Sequence, residues 1–271
     1  MPERMPEGNR KIYGMVHLDP LPGTPYYEPE SFARIRDKAL QSALALDRGG
    51  AHGCLVQTVD RVYPVEDAVD PARVVAMGLI VNTIAEAVRP GFAIGVQIMK
   101  NAIEASLAVA KVGGGHFIRA TALVGKTLSD HGTLNADPYG VAAYRQTLCA
   151  HDIDVVADIA SIHHRPSRNV GELARHACRV GANAVAVGSA DESRTLAWLA
   201  EVRRKAPALP VFLAGHTDHD NAARLLSMAD GAFVGACLET NGWGSGVDSN
   251  RVAAYMEIVN ALPPLKYPCT P

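Results

Sequence analysis

Titratable side chains recur in this chain just after short apolar runs, where a sheet would end and a binding mouth would begin. Asp158 closes a run that starts at Ile153, and Ser161, His163, His164 and Arg165 follow it. A carboxylate at such a point either bonds a neighbouring donor or serves as an acid or base with a shifted pKa. Lys100 and Arg119, near the ends of two other runs, are the cations that could face it, or else rim residues with their charge in water. His17 and Asp19 follow the first run, Gln57, Thr58 and Asp60 the second, and Gln97 and Asn101 the third. The stretch GKTLSDHG after the fourth run adds Lys126, Asp130 and His131. Three later runs end in Gly188-Ser189, Gly215-His216 and Gly235-Ala236-Cys237, with Glu239 and Asn241 beyond. Glycine there lets backbone N–H groups approach a ligand closely, which suits a phosphate, although it also suits a plain tight turn. His216 stands where a plainer cradle has a small residue, and could donate to a phosphate oxygen or partly block it.

Other chemistries fit the spacing less well. His17, His163, His216 and His219, with Asp19 or Asp158, could converge on zinc or manganese, but no H-x-H follows the first run and no H-E-x-x-H occurs. A serine nucleophile lacks its G-x-S-x-G elbow. A lysine Schiff base would fall to Lys100 or Lys126, neither clearly within a strand. The five cysteines, Cys54, Cys149, Cys178, Cys237 and Cys269, are odd in number without C-x-x-C spacing, which argues against disulfides and structural zinc. Cys237 is the one near a strand end, and a small buried hydrophobe is the simpler account of it. No cofactor is expected.

The elements that must position these groups show in a phrase repeated four times. It reads GGAHGCLV from Gly49, VGGGHFIR from Val112, VGANAVAV from Val180 and MADGAFVG from Met228. Glycine past the last helical residue closes a helix, and an apolar run without a polar face makes a buried parallel strand. The phrase therefore predicts helix, turn, strand. Four further runs, Ile12 to His17, Phe92 to Gln97, Ile153 to Asp158 and Leu209 to Ala214, bring the strands to eight. Eight strands with intervening helices in 271 residues predict a single (β/α)8 TIM barrel, which typically takes about 250 residues. An open doubly wound sheet is the alternative, and it would need a glycine-rich fingerprint where this chain has HLDPLPGTPYYEP. In such barrels chemistry lies at the carboxyl ends of the strands, where the polar residues above fall.

Residues 1–10 are expected to be disordered, 11–262 to form the barrel, and 263–271, PPLKYPCTP, to be a non-helical tail that frays or wraps a neighbouring subunit. With 26 Lys and Arg against 28 acids, the net charge of -2 provides no global field for nucleic acid or an anionic membrane. The start MPERMPEGNRK is polar and no long apolar stretch follows, so no signal peptide, spanning helix or integral membrane association is expected, and the location is expected to be cytoplasmic. A barrel of this size also suits a homo-oligomer of unspecified order.

Taken together, the blocks GMVHLDPLPGTP (from Gly14), GVQIMKNA (from Gly95), FIRATALVGKTLSDHG (from Phe117), VVADIASIHH (from Val155) and ADGAFVGACLETNG (from Ala229) resemble the BtpA/SgcQ family. Members are described as phosphate-binding barrels and often labelled photosystem I biogenesis proteins. The resemblance runs nearly from Ile12 to Ala261 and implies His17, Pro20 to Gly23, Arg119, Gly125, Asp130, Gly132, Asp158, His163, Gly188, Gly215 and Gly235 as site positions. This chain departs from the family pattern at Gln57-Thr58, where Glu-Asn is usual, and at Gln97, where Asn is. Lys100-Asn101-Ala102 replaces Arg-Asn-Asp, Ile162 a Lys, Ala214-Gly215-His216 a Gly-Ser-Gly, and Glu239 a Lys. Most changed positions stay polar, which marks a divergent, retuned pocket.

The resulting expectation is an enzyme acting on a small phosphorylated sugar or nucleotide-like ligand by acid–base chemistry of the isomerase, lyase or glycosyl-transfer type. Asp158, Asp130, His17, His163, Lys100 and Arg119 would be catalytic, and Gly188, Ser189, Gly215, His216, Gly235 and Ala236 would hold the phosphate. The alternative is a non-catalytic assembly or regulatory factor with a metabolite-sensing or vestigial pocket. The enzyme reading requires His17, Arg119, Asp130 and Asp158 to share one cavity, and predicts that Asp158→Asn stops turnover with the fold intact.

Overall fold

The computed structural model describes residues 10–64 and 69–265. The chain begins with β1 (Lys11–Leu18), α1 (Phe32–Arg48), β2 (Gly53–Thr58), α2 (Pro71–Ala85), β3 (Ala93–Gln97), α3 (Ile103–Gly113) and β4 (Phe117–Ala120). It continues through β5 (Lys126–Ser129), β6 (Gly132–Asn135), α4 (Pro138–Thr147), β7 (Asp154–Ala160), α5 (Val170–Arg179) and β8 (Ala184–Val187). It ends with α6 (Glu192–Lys205), β9 (Val211–Ala214), α7 (Ala222–Leu226), β10 (Gly231–Val234), a 3-10 turn (Ala236–Leu238) and α8 (Ser249–Asn260). Eight strands close into one parallel barrel, in ring order β1, β10, β9, β8, β7, β4, β3, β2. The expected TIM barrel is therefore the fold.

The repeated phrase has a physical reason. Its polar residue, His52, His116, Asn183 or Asp230, accepts the backbone N–H of Ile12 (3.2 Å), Ile94 (3.1 Å), Val155 (2.9 Å) or Val211 (2.6 Å). Each of the four donates its own N–H back to the carbonyl of the same strand residue, at 2.7–3.0 Å. The carbonyls of His52, His116 and Asp230 then accept from Ala93, Asp154 and Lys11 on the next strand but one. The second amide of β1, β3 and β7 and the first of β9, otherwise orphans at the barrel floor, are thereby satisfied, one at every quarter of the ring.

Above this floor the lumen is packed with aromatic rings. Tyr13, Phe117, Phe212 and Phe233 lie with centroids 4.7–6.1 Å apart. Glycine on neighbouring strands makes room for them: a Cβ on Gly95 would lie 2.2 Å from the Phe117 ring, and one on Gly231 would lie 2.5 Å from Phe212. A second, larger core of Ile, Val, Leu and Ala fills the space between barrel and helices.

One expectation needs correction. Arg10 is not disordered: it is 5 % exposed, and its guanidinium donates to the carbonyls of Leu226 and Pro263. Residues 1–9 and 266–271 lie outside the described residues. After β4 the chain adds an element that was not expected, since β5 and β6 pair as an antiparallel hairpin closed over Asp130-His131.

The floor clamps predict how stability responds to acid. Burial holds His52 down at about 4 and lowers His116 as well, and each must keep Nδ1 unprotonated to accept its amide. The unfolded chain takes up protons below about 6.5 while the folded chain refuses them, so stability is complete above that pH and falls as pH drops toward the folded values. Asn183 already does the same work without titrating. The variant H52N/H116N is therefore expected to melt near the wild-type temperature at pH 7.5 but to lose less by about pH 4.5. An unchanged acid slope in calorimetry would remove these two histidines as the cause.

Candidate active site

At the carboxyl ends of the strands, alternation turns one residue per strand toward the axis. His17, Gln57 and Gln97 are paired directly in register across β1, β2 and β3, and form a polar layer over the aromatic one. Gln57 Nε2 donates to Gln97 Oε1 (2.8 Å), and Gln97 Nε2 donates to Thr121 Oγ1 (3.2 Å), so both amides are held by each other and by the β4 end. A cavity of about 310 Å³ opens above this layer, lined among others by Met15, His17, Arg119, His163, Gly215, Phe233, Gly235 and Trp243.

Arg119 and Asp158 form a buried bidentate pair, with Nε and Nη2 donating to the two carboxylate oxygens at 3.0 and 3.1 Å. The side chains are 3 % and 0 % exposed, and the guanidinium carbon lies 4.9 Å from the Phe233 ring centroid. Both Asp158 oxygens are thus occupied and sealed away, so it is the anchor of Arg119 rather than a free acid or base. Nη1 of Arg119 is the edge left to meet a ligand. The strand register slips between Asp158 and Ala160, a bulge of the kind that re-aims side chains beside a site.

On the opposite wall His17 Nδ1 lies 3.0 Å from Oε1 of Glu239, a residue only 2 % exposed. With the carboxylate accepting, Nδ1 carries the hydrogen, and Nε2 is left as the proton-exchanging atom. A Cβ on Gly235 would stand 3.3 Å from His17 Cε1, so bare backbone lets the ring seat there. Trp243 packs on its other side, centroids 5.3 Å apart. Sequence reasoning noticed Glu239 only as a charge change, because its partner lies 222 residues away.

His163 closes the group. Burial first, then the charges of Arg119, Lys100 and His17, push its pKa well below the ordinary imidazole range, so it is neutral at pH 7. Burial also lowers Lys100, against the pull of Asp130, and its Nζ stands 5.7 Å from the Tyr63 ring centroid. Tyr63 in turn meets His131 edge-on, which docks the β5–β6 hairpin against the mouth. Below the rim, Arg73 of α2 donates to Thr58 and Asp60, Thr58 accepts the Met99 amide (2.9 Å), and Asp60 accepts the Leu21 amide (3.4 Å). One buried ion pair thus fixes the loops after β1, β2 and β3.

His17, Arg119 and His163 therefore line one cavity, with Asp158 behind Arg119 and Lys100 outside the lining, beside Tyr63. Asp130 does not join them: it is on the hairpin tip, its side chain 92 % exposed and 4.0 Å from Arg165. The condition that His17, Arg119, Asp130 and Asp158 share the cavity therefore fails, since only His17 and Arg119 line it, and an acid–base reading has to rest on other groups than the two aspartates. Lys126 is exposed on the same hairpin. The phosphate cradle narrows likewise. The Gly188 N–H already donates to Ala160 O (2.8 Å) and the Ser189 N–H to Thr195 Oγ1 (2.9 Å), while His216 and Ala236 are exposed and off the cavity lining. Gly215 and Gly235 line it, and a Cβ on Gly215 would meet nothing within 4 Å.

The histidines do not gather for a metal. His219 Nε2 contacts Arg251 O (2.9 Å), Asp19 is held by Lys38 (3.0 Å), and among the described residues no three His, Cys, Asp or Glu come together as metal ligands. Burial pushes Cys237 up to about 12, and its Sγ faces Thr217 O at 3.5 Å, which leaves it inert. No helix among the described residues is long and apolar enough to cross a membrane.

Fold and mouth together define a TIM-barrel protein with a polar, partly apolar-walled cavity at the carboxyl face. The chain belongs to the BtpA family, whose profile matches residues 8–261. It is 30% identical over 253 residues to the "Photosystem I biogenesis protein BtpA" of Synechocystis sp., covering 91% of this chain and 86% of that protein. An uncharacterized mitochondrial protein of Caenorhabditis elegans is 30% identical over 261 residues, 93% of each chain. Among solved structures, a tryptophan synthase from M. tuberculosis superposes with TM-score 0.59 at 17% identity, covering 93% of this chain and 92% of that one. A thiamine phosphate pyrophosphorylase from Pyrococcus furiosus gives 0.55 at 17%, covering 92% and 95%. At such identities these two share the fold.

The buried pair revises what Asp158→Asn should do. Removing one partner strands Arg119 as an uncompensated buried charge, which costs about 3–5 kcal/mol. Urea unfolding of D158N is expected to show that loss, and a midpoint equal to wild type would mean that Arg119 is solvated some other way.

Proposed function

We propose that this mouth binds a small phosphorylated sugar or nucleotide and that His17 moves a proton on it. The observation that carries the reading is the His17–Glu239 pair at 3.0 Å, which turns an imidazole at the cavity wall into an oriented acid–base group. A buried carboxylate that holds one ring nitrogen both fixes the tautomer and stabilises the imidazolium formed when the other nitrogen takes a proton. Across the cavity, Nη1 of Arg119 and neutral His163 offer donors to an anion, with the Lys100 ammonium close by, beside Tyr63. Phosphate held there leaves the rest of the ligand against His17. Isomerisation, lyase-type cleavage and glycosyl transfer all use a proton transfer of this kind, worth about 10²–10⁴ in rate.

Phosphorylated compounds are expected to raise the melting temperature of the wild-type protein where their unphosphorylated counterparts do not, since ligand binding to the folded state stabilises it by mass action. Lys100→Met should lose most of that shift. For any compound that NMR shows to be converted, His17→Asn should slow turnover by about 10²–10⁴ and Glu239→Gln should slow it in the same direction. Full turnover by H17N would end the proton-transfer role, and the absence of any phosphate-dependent shift would end the binding role.

A further inference from the structure

Resting on that reading, we infer that the phosphorylated ligand carries a planar heteroaromatic ring, as a mononucleotide does, and that the ring stacks on Trp243. In the ring order of the barrel, β4 stands diametrically across from β10. The arc of donors is centred on β4: the cations Lys100, after β3, and Arg119, on β4, with the neutral His163 after β7. The opposite arc, around β10, offers aromatic and apolar surface from Trp243, Phe233 and Met15. A ligand that satisfies both arcs has an anionic end and a flat apolar end. A bare sugar phosphate would set hydroxyls against Met15, Met99, Ala214 and Phe233, of which only the methionine sulfurs accept a hydrogen bond, and weakly; that of Met99 already faces Gln57 Nε2 at 3.6 Å.

Trp243 itself is 61% exposed while lining the cavity, a large apolar face left open where a ligand would cover it. It sits between Gly242 and Gly244, both at positive φ (89° and 81°), where a loop of this shape needs glycine. The loop does not hang free. Thr240 N–H donates to Gly246 O (3.0 Å), Asn241 N–H to Ser245 Oγ (2.9 Å), and Ser245 N–H to Glu239 Oε2 (3.2 Å). Glu239 thus holds His17 with one oxygen and the Trp243 loop with the other, so the stacking platform and the proton-transfer group are set by one carboxylate. At about 310 Å³ the cavity lies at the small end of ligand sites, roughly 300–1,000 Å³, which suits one ring and one phosphate.

The test compares AMP, GMP, CMP and UMP with ribose 5-phosphate and adenosine by titration calorimetry on the wild-type protein and Trp243→Ala. At least one mononucleotide should bind more tightly than ribose 5-phosphate and more tightly than adenosine, and W243A should weaken it about five-fold or more while moving ribose 5-phosphate less than two-fold. The chain has two tryptophans, so Trp198→Phe leaves Trp243 as the sole reporter, and the same nucleotide should quench its fluorescence saturably. If ribose 5-phosphate binds as well as every mononucleotide and W243A changes neither, the stacking proposal falls while the phosphorylated-ligand reading stands. If no phosphorylated probe binds, both fall.

Discussion

The barrel depends on how its amino-end floor is closed. A parallel strand begins with a backbone amide that no earlier residue of its own helix or turn can satisfy, and a buried amide left unpaired costs about as much as a lost hydrogen bond. Four polar residues, His52, His116, Asn183 and Asp230, resolve this at even intervals by accepting with the side chain and donating with the backbone, and all but Asn183 also accept with the backbone. The same chemistry is carried by three residue types, which shows that the acceptor atom, not the residue, is the requirement. With the floor so fixed, register is set for every strand above it, and so is the level at which inward side chains emerge at the mouth.

That level is where the chain tolerates polar groups in its interior. Tyr13, Phe117, Phe212 and Phe233 fill the lumen, and the Arg119 guanidinium lies over Phe233, where a cation meets the negative face of the ring. The desolvated cation is held by both oxygens of Asp158. His17 is matched by Glu239 in the same way. Asp158 thus neutralises Arg119 and Glu239 is bonded to His17, while Lys100 has only the partial influence of an exposed Asp130.

The eight strands were legible because parallel strands buried on both faces read as continuous apolar runs, and because glycine marks where α1, α3 and α5 stop. The polar residue inside each repeated phrase was visible too, but its purpose was not, since its partner amide lies on another strand. The hairpin escaped notice because each of its strands shows one apolar residue, Leu128 or Leu134, in a polar setting. Asp130 was misplaced for the same reason: nearness in sequence to the end of β4 implied the mouth, and the hairpin carries the residue out to solvent. Gly188 looked like Gly215 because a glycine at a strand end reads alike whether its amide is free or donated to Ala160. Glu239 could be paired with His17 only once closure had set β10 beside β1.

A neutral His163 beside the cations Arg119 and Lys100 gives the mouth its character. If it carried a proton, the cavity wall would hold a cluster of like charges in partial burial, each disfavouring the others. Kept neutral, it avoids that cost and leaves Arg119 and Lys100 as the charged groups beside it. His163 follows β7, which the ring order sets across the barrel from β1 and His17, so the cavity lies between two imidazoles in different settings. The Glu239 carboxylate orients one ring, while burial beside two cations keeps the other neutral, so the two walls of the cavity are not chemically equivalent.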